Sequence, residues 1–117
     1  MIDLAGMQKD AGRWFAINLA RDPQSDKFCQ ALGLSEEAGE VAHIVRVDFQ
    51  GIREGVDKNM VQDEILDGVG DVVFYAMNLC SLYGISIEQA ITKVAEKVLK
   101  RDWVKHPADA HLEVEKE

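Results

Sequence analysis

Basic charge is what this chain has least of. It carries 13 Lys and Arg against 21 Asp and Glu, a formal net charge of −8. That argues against a nucleic-acid surface, because phosphate backbones are held by clustered Lys and Arg. It also means that any phosphate-bearing ligand needs a local cation to overcome the field of the protein. Proline is nearly absent: Pro23 and Pro107 are the two examples, and both fall at boundaries between periodic segments. The two cysteines, Cys29 and Cys80, are far apart and match neither metal nor redox spacing, so reduced thiols are expected. No long hydrophobic run exists. The uncharged stretch 72–87 has 16 residues and includes Asn78, Ser81 and Gly84, too short and too polar to span a bilayer, so no membrane partner is expected. The opening MIDLAGMQKDAGRW has neither the basic start nor the apolar core of a signal peptide, and a cytoplasmic location is expected.

What is present is helical periodicity. Residues 3–21 place Leu4, Met7, Ala11, Trp14, Phe15 and Ile17 at three- and four-residue spacing. Asp22 and Pro23 suit the N-cap and first position of a second helix, over 23–49. FQGIREGVDKN breaks the pattern with two glycines. A third helix fits 59–83 and stops at Gly84. Ser86, with Gln89 three residues on, is a capping box that opens a fourth helix reaching Trp103. No segment alternates with period two between hairpin turns. The expectation is an all-α four-helix bundle, one domain over 1–106 with a loose acidic tail at 107–117. Four helices in 117 residues make a thin core, so a homodimer or homotetramer is expected.

Two groups of carboxylates stand out. In EILDGVGD (64–71), helical geometry puts Asp67 about 60° and Asp71 about 20° from Glu64, so the three acids form one stripe. Tyr75 and Asn78 extend it, while Ile65, Leu66, Val69, Val72, Val73, Ala76 and Cys80 lie opposite. No Lys or Arg occurs between Lys58 and Lys93, and the helix is apolar nearly all round from Val72 onward, so the stripe is expected to point inward. The second helix carries LSEEAGEVAH, where Glu37 and Glu40 share a face and Glu36 lies about 100° round from Glu37. If the two helices pack antiparallel, the groups converge. Four or more convergent carboxylates repel unless a divalent cation neutralises them, and all-oxygen ligands favour Mg²⁺ or Mn²⁺. The metal ligands expected are Glu37, Glu40, Glu64, Asp67 and Asp71. Gly33, Gly39, Gly68 and Gly70 remove side chains beside these acids, leaving room for close helix approach or for a bulky ligand.

The order EEAGE, then DGVGDVVFY, then YGISIEQA with Lys97 and Arg101 downstream, resembles the MazG-like all-α nucleoside triphosphate pyrophosphohydrolases over residues 25–103. The resemblance implies Mg²⁺-dependent hydrolysis of an NTP or dNTP to the monophosphate and pyrophosphate, a nucleotide-pool housekeeping activity. It implies Glu36 or Glu37 as the base for the attacking water. It matches Lys97 and Arg101 to basic positions that meet phosphates, with Lys93 one turn before them. Tyr75 could stack on a base or sugar or belong to the core, and Asn78 could read a base or satisfy backbone. The family's second motif usually has a glutamate three residues before the aspartate matched by Asp71, and here that position is Gly68. Glu64 or Asp67 must then supply the missing ligand.

Two other readings compete. Glu40 and His43 form one Glu-x-x-His element of the kind used by di-metal carboxylate oxidoreductases, but the partner segment has Glu64 and Asp67 without a histidine. A helical dimerisation or regulatory module would use the acids as a docking face and show no turnover.

Overall fold

The structure, a computed structural model, describes residues 2–18, 23–51 and 55–107. Four helices follow one another: α1 (Leu4–Asn18), α2 (Pro23–Gln50), α3 (Lys58–Leu82) and α4 (Ile87–Val98). No strand occurs among the described residues. The first three helices lie close to their expected ranges. The proposed cap Asp22 and residues 108–117 of the acidic tail lie outside the described residues.

Local chemistry explains the boundaries. Asp57 caps α3, its side chain accepting from the Met60 amide at 3.0 Å. The far end of α3 closes at Gly84, whose φ of 68° is open to glycine at no steric cost. There the Ile85 amide donates to the Cys80 carbonyl at 2.9 Å and the Gly84 amide to Ser81 at 3.1 Å, the two bonds of a Schellman stop. Ser86 and Gln89 form the expected capping box of α4. α4 ends at Val98, earlier than the expected Trp103. Asp102 draws the chain out of the helix, because its side chain accepts from the Val104 and Lys105 amides at 3.0 and 2.9 Å.

α2 and α3 pack side by side and antiparallel. A Cβ on Gly33 would overlap the Tyr75 ring, and a Cβ on Gly68 would stand 2.8 Å from Val41 Cγ2. Two of the four glycines beside the acids thus serve close helix approach, whereas Gly39 and Gly70 face open space. Asp48 and Lys58 pair at 2.6 Å across the α2–α3 connection, an exposed contact of little energetic weight. By length and composition alone α3 could cross a membrane. Asp67 and Asp71 lie within that length, and α2 packs along it.

α1 covers the C-terminal half of α3, with Gly12 against Ser81 and Phe15 against Tyr75 at 6.1 Å between ring centroids. It presents Gln8, Ala11 and Phe15 inward. Gln8 binds three elements at once: its Nε2 donates to Ser81 Oγ at 3.1 Å and to the Ile85 carbonyl at 2.9 Å, and its Oε1 accepts from the Ile87 amide at 2.8 Å. α4 touches α1 and α3 and, among the described residues, does not reach α2. The apolar core is correspondingly small, with Ala11, Phe15, Val47, Val61, Met77 and Ile87 buried among the described residues. The Cα radius of gyration is 17.9 Å, where a compact chain of this length would have about 13 Å.

Gln8→Leu removes the bonds that join α1, the end of α3 and the start of α4, and strands the buried Ile87 amide. Its urea midpoint should fall by the equivalent of about 1–3 kcal/mol; an unchanged midpoint would show that the junction holds without it. Gly33→Ala should destabilise by more than 1 kcal/mol, roughly the scale of overpacking. Gly39→Ala, in open space on the same helix, should be stabilising by about 0.5–1 kcal/mol. Equal effects of the two changes in thermal unfolding would contradict the close approach at Tyr75.

Candidate functional site: an acidic cleft between α2 and α3

The antiparallel pairing puts the LSEEAGEVAH segment of α2 beside the EILDGVGD segment of α3. Between them lies a cleft of about 320 Å³ lined by Glu40, His43, Glu64, Asp67 and Asp71, with Val41, Ile44 and Gly68 as its floor and walls. The expected convergence of the two acidic groups is therefore present at the level of helix faces. Glu37, one turn before Val41, is half-buried, and its Oε2 is shielded from solvent without a hydrogen-bond partner.

Electrostatics mark the same place. Burial pushes the Glu37 carboxyl above its ordinary range, and Glu40, Asp71 and Glu36 push it further in the same direction. The Tyr75 phenol is raised as well, first by burial and then by Glu37, Glu36 and Asp71. These groups feel one another, so the field at Glu37 is the sum of both helices. Tyr75 is half-buried with its ring against Gly33 and Phe15, which holds it at the edge of the acidic group.

Some expectations need correction. Glu64, Asp67 and Asp71 do not point into a packed interior; all three are exposed and rim the cleft. The reason is that α2 covers the side of α3 that carries Val61 and Gly68, and α1 covers only its C-terminal half. Glu36 is exposed and outside the cleft lining. Among the described residues no three His, Cys, Asp or Glu side chains stand together as a ready ligand set. The acids still suit a divalent cation: the donors are all oxygens, and Glu37 has an orphaned oxygen in a field of like charge. Gly68, where the family usually has glutamate, faces Val41 on α2. A longer side chain there would meet the helix interface before it met the cleft, so Glu64 and Asp67, both in the lining, are the available substitutes.

Asn78 is buried at 3 % exposure with its Nδ2 unpartnered. It lies deeper than a base-reading group on an open cleft. Two further buried polar residues are not evident from the sequence: Asp26 and Gln30 are both buried on α2, joined by a 3.3 Å bond from Gln30 Nε2 to Asp26 Oδ1. Their i,i+4 spacing is the one available signal. His43 is likewise not expected as a cleft residue. Its Glu-x-x-His spacing to Glu40 is visible in the sequence, but its place beside Glu64 and Asp67 depends on the pairing of the helices.

The expected phosphate cations are elsewhere. Lys93 and Lys97 are exposed on α4, where they line a shallow depression with Val94, Glu96 and Lys100. Arg101 lies beyond the end of α4, half-buried, with its Nε shielded and unpartnered. Among the described residues no Lys or Arg lines the acidic cleft.

The raised carboxyl of Glu37 has a signed consequence. The folded state holds its proton to higher pH than the unfolded chain does, so ionised Glu37 opposes folding. Stability should fall as pH rises from the ordinary value of 4.5 through the raised folded value, and stay level above it. Glu37→Gln should flatten that fall in metal-free buffer and raise the thermal midpoint at pH 7. Millimolar Mg²⁺ or Mn²⁺ should raise the wild-type midpoint more than that of Glu37→Gln. Identical melting curves for the two proteins across pH and metal would show that Glu37 is not in the acidic field.

Comparison with curated proteins and with solved structures gave no match. Comparison with family models did: residues 29–105 match the MazG nucleotide pyrophosphohydrolase domain, a span that contains both acidic segments and all of α3 and α4. The match covers more than half of the chain, and with an all-helical fold that sets those segments face to face, the protein belongs to the MazG nucleotide pyrophosphohydrolase family.

Proposed function

We propose that this protein hydrolyses a nucleoside or deoxynucleoside triphosphate to the monophosphate and pyrophosphate, using Mg²⁺ or Mn²⁺, as a housekeeping enzyme of the nucleotide pool. The observation that carries the reading is the orphaned Oε2 of Glu37, held among Glu36, Glu40 and Asp71 at the family's acidic motifs. An oxygen shielded from water beside three like charges is costly unless a cation meets it.

In this reading Glu37, Glu40 and Asp71 hold the cation, and Glu64 or Asp67 completes the set. Glu64 is favoured as the direct ligand, because its longer side chain can bend along the helix toward Asp71, leaving Asp67 to orient a ligand or a water. Bound there, the cation would neutralise phosphate charge and the charge that develops in the transition state. Glu36 or Glu37 serves as the base that accepts the proton of the attacking water: Glu36 is exposed and adjacent to Glu37, whose shielded oxygen stands beside Glu40 and Asp71. Tyr75, at the edge of the acidic group, gives a ring surface for the base or sugar. Asn78 acts on the base only indirectly, from its buried position. Lys93, Lys97 and Arg101 are the cations this reading assigns to the phosphates, from α4 and its end, outside the cleft lining.

The test is a panel of NTPs and dNTPs with Mg²⁺, scored separately for pyrophosphate and orthophosphate. Monophosphate and pyrophosphate should appear in equal amounts; release of orthophosphate with a diphosphate would refute the reaction. Glu64→Gln should abolish turnover, and Asp67→Asn should lower it about 10- to 100-fold. An active Glu64→Gln with a dead Asp67→Asn would reverse the two roles.

A further inference from the structure

His43 is the one polar residue of the cleft lining to which the proposed reaction gives no role. It stands there with Glu40, Glu64, Asp67 and Asp71, and among the described residues it is the only nitrogen-bearing side chain of the lining. The other lining residues, Val41, Ile44 and Gly68, are apolar or bare, so no lining neighbour offers His43 a side-chain hydrogen-bond donor. A neutral imidazole carries a lone pair on one ring nitrogen, and ionised carboxylates, which only accept, cannot meet it. A cation meets the lone pair and the carboxylates at once.

The register of the helix pair puts this nitrogen where the ligand set has been displaced. Gly33 against Tyr75 and Val41 against Gly68 fix how α2 lies on α3. From the Val41–Gly68 contact, the next turn of α2 and the preceding turn of α3 run side by side toward the buried Val47 and Val61. That stretch sets Glu40 and His43 across from Glu64 and Asp67, and all four line the same cleft. Each pair is spaced i,i+3, so its two members share one side of their helix. Position 68 belongs to the helix interface, and the α3 donor nearest in kind to the family's glutamate stands one turn earlier, at Glu64. On α2 the same displacement leads from Glu40 to His43.

We infer that His43 is a direct nitrogen donor to the cation of this cleft, together with Glu40, Glu64 and Asp67, and that the site therefore selects a divalent first-row transition cation over Mg²⁺. The inference rests on the cation site of the proposed function and not on turnover.

Ligand chemistry sets the selectivity. Mg²⁺ is a hard ion that takes oxygen and dehydrates reluctantly, so an imidazole adds little to its binding. First-row transition cations accept mixed nitrogen and oxygen donors, with affinity rising from Mn²⁺ to Co²⁺. The set is not that of a di-metal oxidoreductase, because the α3 element ends in Asp67 where such a site has histidine; one nitrogen and three carboxylates are at hand. Among the described residues no three of these side chains stand together. Like charges favour that separation. The fold places the four positions on one cleft, and all four side chains are exposed, so they are free to swing toward a shared ion.

Pulsed electron paramagnetic resonance of the full-length protein loaded with Mn²⁺ reads the donor directly, without nucleotide. The wild type should show nitrogen modulation that changes from the ¹⁴N to the ¹⁵N pattern when histidine alone is ¹⁵N-labelled, a comparison that needs no substitution. His43→Gln should lose the modulation and His106→Gln should keep it. Bound Mn²⁺ without histidine coupling, or coupling that survives in His43→Gln, would overturn the inference and leave the cation site standing. In calorimetric titrations His43→Gln should lower Co²⁺ affinity by at least about tenfold, the lower end of what even a group that only supports a ligand contributes, and should leave Mg²⁺ affinity unchanged. An equal loss for both ions would make His43 a structural residue and overturn the inference. No binding of any divalent cation would refute the cation site and the inference with it. Histidine-coupled Mn²⁺ in a protein that releases no pyrophosphate would uphold the inference and refute the reaction.

Discussion

The ring of Tyr75 lies where a side chain on Gly33 would stand, and Val41 lies where one on Gly68 would stand. These two contacts set the distance between α2 and α3, and the site follows from that distance. With larger residues at either position the helices would separate, and the carboxylates of LSEEAGEVAH would no longer share a field with those of EILDGVGD. The cost of glycine inside a helix, about 1 kcal/mol each against alanine, is offset by packing that a Cβ would forbid. The glycine that replaces the family's usual glutamate is explained in the same way, since position 68 belongs to the helix interface.

Close approach brings an electrostatic cost that the chain alone leaves unrelieved. Glu37 is raised by burial and by three neighbouring carboxylates, and Tyr75 responds to the same charges. Fields of this kind persist in proteins where a ligand uses them. The acidic net charge of −8 strengthens the point, because it repels phosphates from every direction except one in which positive charge is supplied locally.

Gln8 is the counterpart of the glycines at the other end of the molecule. Its three bonds hold α1, the Schellman stop of α3 and the first amide of α4 in one junction. Beyond that junction the packing thins. Large apolar residues such as Leu66, Phe74 and Leu99 remain exposed, and the chain is wider than a compact fold of its length. One pair of helices carries the acids, and α4 with the turn after it carries the cations.

Helix number, the stop of α3 at Gly84 and the Ser86 capping box are legible in the sequence because caps, turns and 3.6-residue periodicity are local. Helical spacing likewise assembles Glu64, Asp67 and Asp71 into one stripe, and the order of the motifs is enough to point to the family. The end of α4 is not legible, because Asp102 competes for backbone amides, a choice between two local structures that periodicity does not see. Inward or outward orientation of the acidic stripe is not legible at all. The apolar run from Val72 onward suggests burial on most sides, but how much of α3 is covered depends on where α1 stops and where α4 points. The burial of Asn78, Asp26 and Gln30, the presence of His43 in the cleft and the separation of Lys97 from the acids are of the same kind. A sequence states which residues share a face of their own helix; which face meets which neighbour depends on contacts between residues distant in the chain, such as Gly33 with Tyr75 and Gln8 with Ile87.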